Sequence, residues 1–423
     1  MTSATTTASA RGAENATLRA LPLRCRNCGH TTDAAPQALC FECLGPLEPA
    51  YDEDRRLPDR ATIEARTHSL WRYREWLPFE GDPIYAHDVG CTPLVEAPRI
   101  AERLGVARAW IKNDSVSHPS LSFKDRVVAA AFNAAAAFGI RTVGCASTGN
   151  LANAVAAQAA RAGLDAWIFI PHDLEVGKVV NTSIFAPKLV RVRGTYDDVN
   201  RLCAQVADRF GWGIVNVNLR SYYGEGSKTM AFEIAEQLGW RLPTAVVAPM
   251  AGGSLVTKLR KGFAEFTKAG LVDGPTPRVF GAQASGCAPI ARLVRNGGEL
   301  TPEIPNTIAR SIAIGNPADG RYAARSIIES GGWSAHVSDE ELVKGIRTLA
   351  EDVGIFTETA GGATVAAALA LAAEGRFDPN DEVVICITGN GLKTVEALQG
   401  ALPESPIIDA RLREVAALVA SQG

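Results

Sequence analysis

RTVGCASTGNLANAVAAQAARAGLDAWIFIP, residues 141–171, reads as an apolar run, a helix and a second apolar run. RTVGCAS (141–147) and AWIFIP (166–171) have the length of strands, whereas the segment opening at Asn150 has the length and alanine content of a helix. The alternation continues outward. A helix from Lys178 follows, then the strand KLVRVRG (188–194) and the helix YDDVNRLCAQVADRF (196–210). GIVNVNL (213–219), TAVVAPM (244–250) and RVFGAQA (278–284) are further strands, each followed by a helical stretch, and EVVICI (382–387) is a last, very apolar one. Short apolar runs separated by helices of ten or more residues predict an α/β fold with parallel sheets covered on both faces. This length fits two doubly wound sheets better than one, and ligands of such sheets bind beyond the carboxyl ends of the strands.

The loops leaving those strands carry the candidate chemistry. PSLSFKDRV (119–127) places Lys124 at a helix start, with Ser122 and Asp125 spaced as a capping pair ahead of the helix formers VVAAAFNAAAAFG (127–139). The positive end of a helix dipole opposes a second positive charge, so Lys124 is favoured as a neutral amine able to attack an aldehyde. ASTGN (146–150) offers Ser147, Thr148 and Asn150 around an anion, with a carboxylate as a fitting occupant. AGGSL (251–255) opens a helix with Gly252, Gly253 and Ser254, a cup for a phosphate that is neither GxGxxG nor a P-loop. Lys178 and NVNLRSYYGEGSKT (216–229), with Asn218 and Arg220, could hold a second phosphate. TGNGLKT (388–394) presents Thr388. Taken singly, each of these is also an ordinary strand-to-helix turn or a solvated helix-end charge.

Cys25, Cys28, Cys40 and Cys43 form two CxxC pairs in a short window, the spacing of a tetrahedral, four-ligand structural zinc site. Two disulfides are the alternative, which a cytoplasmic location disfavours. The chain of 423 residues is 47% hydrophobic and 21% charged, with a net charge of −3, the balance of a globular protein with large cores. Such a charge offers no basic field for nucleic acid or anionic membrane, so small molecules are the expected partners, and the sequence is compatible with a homodimer. No apolar run has the length of a membrane span, and the polar stretch 1–19 reads as a disordered tail of a cytoplasmic protein.

Together, the cysteine ribbon, SFKDR, STGN, the Gly-Gly-Ser loop and TGNGLK, in that order, resemble the pyridoxal-phosphate enzymes of the tryptophan-synthase-β-like fold, specifically the bacterial threonine synthase family. IPHDLEVGKVV, YDDVNR, NVNLRSYYGEGSKT and IGNPADG extend the resemblance over residues 20 to 400. It implies that Lys124 binds pyridoxal 5'-phosphate covalently and shuttles protons, that Asn150 meets the ring hydroxyl, that Gly252, Gly253 and Ser254 cradle the phosphate, and that Thr388 faces the ring nitrogen. Ser147 and Thr148 would border the amino acid's carboxylate, and Lys178, Asn218 and Arg220 would grip a substrate phosphate. The implied reaction converts O-phospho-L-homoserine and water to L-threonine and phosphate. The implied layout is a tail (1–19), a zinc-ribbon-like element (20–50), a connector and first part of the large domain (51–127), a small α/β domain (128–215), and the rest of the large domain with a C-terminal helix (216–423), with the cofactor cleft between the two domains. His118, Ser120, Leu121, Asn390 and the Ala-Gly-Gly-Ser-Leu reading of the phosphate loop (251–255) depart from the family's pattern, Leu121 bringing an apolar side chain beside the lysine. These departures leave two other readings open: a replacement enzyme of cysteate-synthase type on another phosphorylated amino acid, or a catalytically silent zinc-containing binding protein.

Overall fold

The structure is a computed structural model that describes residues 18–422 apart from 148, 173, 175, 195, 403 and 404. The predicted tail therefore lies almost wholly outside the described residues, as does Thr148. The apolar runs assemble into two main sheets. The larger has six strands in the order Ser334–Val337, Arg278–Ala284, Ala245–Pro249, Glu382–Ile387, Arg108–Asn113 and Leu94–Glu96. All neighbours are parallel except the edge strand Leu94–Glu96. The smaller has four parallel strands in the order Lys188–Val192, Asp165–Pro171, Thr142–Ala146 and Gly213–Ile214.

Both faces of the six-stranded sheet are covered, which is why EVVICI has no polar alternation. Val383, Ile385 and Ile387 point into one core with Ala363, Val365 and Leu371 of the helix Thr359–Ala373. Val384 and Cys386 point the other way, to Val256 and Leu259 of the helix Ser254–Lys268. The small sheet is sandwiched likewise: Val143, Cys145 and Ile168 meet Ala154 and Val155, while Ala146, Phe169 and Ile214 meet Val199 and Cys203.

GIVNVNL is shorter as a strand than its composition predicts. Pairing stops at Ile214 because Val217 N and Leu219 N turn back to Ile214 O, and Asn218 Oδ1 accepts from Ile214 N at 2.8 Å. The ribbon is a three-stranded antiparallel sheet of Thr31–Thr32, Leu23–Cys25 and Leu47–Pro49. Its Leu23 and Leu47 share one apolar cluster with Val127, Val128 and Phe132 of the Lys124 helix, so it packs on the main body. Tyr73 and Trp76 are buried against Phe232 and Phe266 as core anchors. Among the described residues no helix is long and apolar enough to cross a membrane.

Candidate active site

The strand-to-helix loops converge on one cavity of about 530 Å³. Lys124, Ser147, Asn150, Gly252, Gly253, Ser254, Thr388 and Arg220 all line it. Their common origin is topological: Ser147 and Asn150 follow the strand Thr142–Ala146, the Gly-Gly-Ser loop follows Ala245–Pro249, and Thr388 follows Glu382–Ile387. Lys178 lies behind this wall. It is buried, and its Cε is 3.7 Å from where a Cβ on Gly149 would stand. Asn218 is not brought to the cavity: its amide accepts from Ile214 N and donates to Trp212 O, which serves the local turn.

Lys124 begins the helix Lys124–Ala137. The expected Ser122–Asp125 cap does not form, because Phe123 occupies the cap position and Asp125 turns back to accept from Ser120 N at 3.0 Å and Ser120 Oγ at 2.8 Å. Asp125 thus braces the segment that delivers the lysine. The Lys124 ammonium donates to Tyr223 Oη at 3.2 Å and lies 4.5 Å from the Phe123 ring centroid. Burial in this apolar and phenolic setting pulls its pKa down to about 8, with Glu358 acting in the opposite sense. The amine is therefore partly neutral near neutral pH, as its place at a helix start suggests.

Sequence reading passed over Glu358. It is buried, lines the cavity, and receives Asn150 Nδ2 on both carboxylate oxygens at 2.8 Å. Lys393, from the TGNGLKT loop, donates to Asn150 Oδ1 at 3.0 Å. Burial raises the Glu358 pKa against the influence of Lys393, Asn150, Lys178 and Lys124. Of residues 305–319 only the IGNPADG stretch was singled out, and it was given no site role, although Thr307, Arg310, Ser311, Asn316 and Asp319 line the cavity. That segment has no periodic pattern; only its fold over the Gly-Gly-Ser loop, where Asp319 N donates to Gly252 O at 3.0 Å, brings it to the site. Arg220 Nη2 and Asp319 Oδ2 are 2.7 Å apart.

The family model described as pyridoxal-phosphate dependent enzyme matches residues 85–389. The chain belongs to this family. It is 34% identical over 391 residues to a threonine synthase of Methanocaldococcus jannaschii, covering 91% of this chain and 95% of that one. It is 36% identical over 366 residues to a threonine synthase of Synechocystis, covering 86% and 90%. Among solved structures it shares the fold of maize serine racemase, with a TM-score of 0.62 at 21% identity over 74% of this chain and 92% of that one.

The residues present fit the family's cofactor. A Cβ on Gly252 would meet no protein atom within 4 Å, so this cavity-lining glycine leaves open space at the start of a 15-residue helix. Ser311 Oγ, also on the wall, is shielded from solvent and has no hydrogen-bond partner. The four single-residue departures from the family's pattern stand outside the lining. Leu121 is 38% exposed and absent from the lining, contrary to the expectation of an apolar wall beside the lysine. Asn390 Nδ2 donates to Ser115 O, His118 faces Asp88 at the surface, and Ser120 braces Asp125.

The four ribbon cysteines are free thiols whose Sγ atoms all lie within 4.8 Å of one another. The pairs Cys25–Cys43 and Cys28–Cys40 are 3.5 and 3.8 Å apart. Tetrahedral Zn–S bonds of about 2.3 Å require S···S edges of about 3.8 Å, so the donor set fits zinc.

Proposed function

We propose that this chain is a threonine synthase, converting O-phospho-L-homoserine and water to L-threonine and phosphate. The observation that carries the reading is a buried lysine of lowered pKa in the same cavity as Arg220 and a glycine-rich helix start, in a chain one-third identical to threonine synthases over nine-tenths of its length. Lys124 would hold the cofactor, Gly252, Gly253 and Ser254 its phosphate, Asn150 its ring hydroxyl and Thr388 its ring nitrogen. Bound pyridoxal phosphate supplies an electron sink for negative charge developing at the amino acid's α-carbon. As a neutral amine Lys124 would accept the α-proton, carry a proton from Cβ to Cγ as phosphate leaves Cγ, and return a proton to Cα once water has added at Cβ. Ser147 and Thr148 would border the carboxylate. Arg220, with Lys178 behind the wall, would hold the substrate phosphate; Asn218 would help only by shaping the turn before Arg220. The departures at His118, Ser120, Leu121 and Asn390 give no support to a replacement enzyme, since those residues lie outside the cavity lining; the Ala251–Leu255 loop, the remaining departure, does line it.

Phosphate release from phosphohomoserine, phosphoserine and phosphothreonine tests the assignment. Phosphohomoserine is expected to be preferred, with threonine as product; preference for phosphoserine would replace the assignment with the replacement-enzyme reading. Arg220→Ala should remove a charge-assisted contact of about 1.5–3 kcal/mol, weakening use of phosphohomoserine by roughly one to two orders of magnitude. We further propose that Cys25, Cys28, Cys40 and Cys43 bind one structural zinc, for which metal analysis of purified protein should find about one equivalent per chain.

A further inference from the structure

One ribbon side chain, Arg26, meets a residue of the cavity wall. Arg26 sits between Cys25 and Cys28, so the knuckle that would fold around a metal also aims this guanidinium. It lies 4.0 Å over the Tyr322 ring, and Tyr322 Oη donates to the neighbouring Asn27 Oδ1. Arg26 Nη1 is 3.9 Å from Asp319 Oδ1, while the other oxygen of that carboxylate pairs with Arg220 at 2.7 Å. Asp319 is only 10% exposed in its side chain, and both it and Arg220 line the cavity. The short helix Arg220–Tyr223 is tied to the ribbon again, since Ser221 Oγ donates to Gln37 O at 2.9 Å and Tyr222 Oη to Leu21 O at 3.0 Å.

We propose that Arg26 and Asp319 are positioning residues that set the place and the effective charge of Arg220, making the cysteine ribbon a determinant of anion affinity at the cavity. This rests on the reading that Arg220 holds the substrate phosphate. A carboxylate at 2.7 Å offsets most of the charge that Arg220 offers an incoming anion. Arg26 draws on the same carboxylate through its other oxygen, so the Arg26–Asp319–Arg220 triad keeps a net positive charge where the isolated Asp319–Arg220 pair would have none. The carboxylate also fixes Arg220: Asp319 is held by its own backbone to Gly252 O, so the guanidinium keeps a set relation to the Gly-Gly-Ser loop. An ornamental ribbon would need neither contact.

The test titrates inorganic phosphate into the cofactor-loaded holoenzyme by calorimetry, for the wild type, Arg26→Ala, Arg26→Lys, Tyr322→Leu and Arg220→Ala, with KM and kcat for phosphohomoserine beside it. Arg26→Ala is expected to weaken phosphate binding about three- to tenfold and to raise KM more than it lowers kcat, Arg26→Lys to recover most of the loss, and Tyr322→Leu to shift affinity the same way. Arg220→Ala should weaken it by about tenfold or more. If Arg220→Ala has that effect while Arg26→Ala and Tyr322→Leu stay within about twofold of wild type, the ribbon's role is overturned and the phosphate grip stands. If Arg220→Ala changes nothing, the phosphate grip itself fails and the ribbon's role falls with it. Should Arg26→Ala not fold, the change Tyr322→Leu at a half-buried position decides between these outcomes alone.

Discussion

Lys124 and Glu358 show how a reactive amine is set by opposed forces of burial and charge. Burial drives the lysine toward its neutral form and its pKa to about 8, while the Glu358 carboxylate favours the protonated form. The neutral fraction of a lysine is one half at its pKa and approaches one above it, so the rate at which cofactor-free protein takes up pyridoxal phosphate should climb with pH through a midpoint near 8 before levelling off. Stopped-flow absorbance across the pH range would read this, and a flat profile would contradict it. In Glu358→Gln the charge that raises the lysine's pKa is gone, so the same profile should move to lower pH. Gln retains an acceptor for Asn150 Nδ2, which separates this effect from loss of the hydrogen bond. An unshifted profile would show that Glu358 does not act on the amine.

At the scale of elements, the Gly-Gly-Ser turn carries two different demands. Gly252 faces open space, whereas Gly253 has φ +92° and closes the turn against the chain that follows. A Cβ on Gly253 would come within 2.9 Å of Ala323 Cβ and 3.0 Å of Asp319 O. Gly253→Ala should therefore destabilise the fold by about 1–3 kcal/mol and displace Asp319, while Gly252→Ala should leave stability nearly unchanged and weaken cofactor uptake instead. Urea unfolding of both variants alongside cofactor titration would read the split, and equal stability losses would refute it.

For the whole molecule, the junction between the lysine helix and the large sheet is a fully buried ionic cluster. Arg126, next to Asp125 in the SFKDR motif, pairs with Asp114 at 2.6 Å and with Glu233, which also meets Lys112 at 2.7 Å. These side chains are at most 1% exposed, so removing one leaves its partners charged and unsolvated. Arg126→Ala should cost about 3–5 kcal/mol of stability at neutral pH. Although burial itself opposes ionisation, Arg126 and Lys112 hold the Glu233 carboxyl down to about 2, below its ordinary value near 4.5. Its contribution is therefore present above about pH 4.5 and lost as pH falls toward 2, so the gap between wild type and variant should narrow in acid. Denaturant midpoints at neutral pH and near pH 3 would check this; a constant gap would exclude Glu233 as the titrating group.

The local periodicities in this chain were enough to determine two covered parallel sheets, because a strand with no polar alternation is stable only between two helical layers. Spacing likewise placed Lys124, Ser147, Asn150, Gly252, Gly253, Ser254, Thr388 and Arg220 on loops at strand ends, and topology gathers such loops in one place. Tertiary structure decided the roles that no local pattern assigned. Glu358 and Asp319 become cavity residues only because distant elements fold onto Asn150 and Gly252. Asn218 is drawn off to the turn by backbone groups that need partners when the strand ends early at Ile214. Asp125 serves Ser120 instead of a helix cap, and Leu121 faces away from the wall it was expected to line. For the polar residues among these the deciding quantity is which buried group finds a partner, and that is fixed by long-range packing, which residue type and spacing alone do not encode.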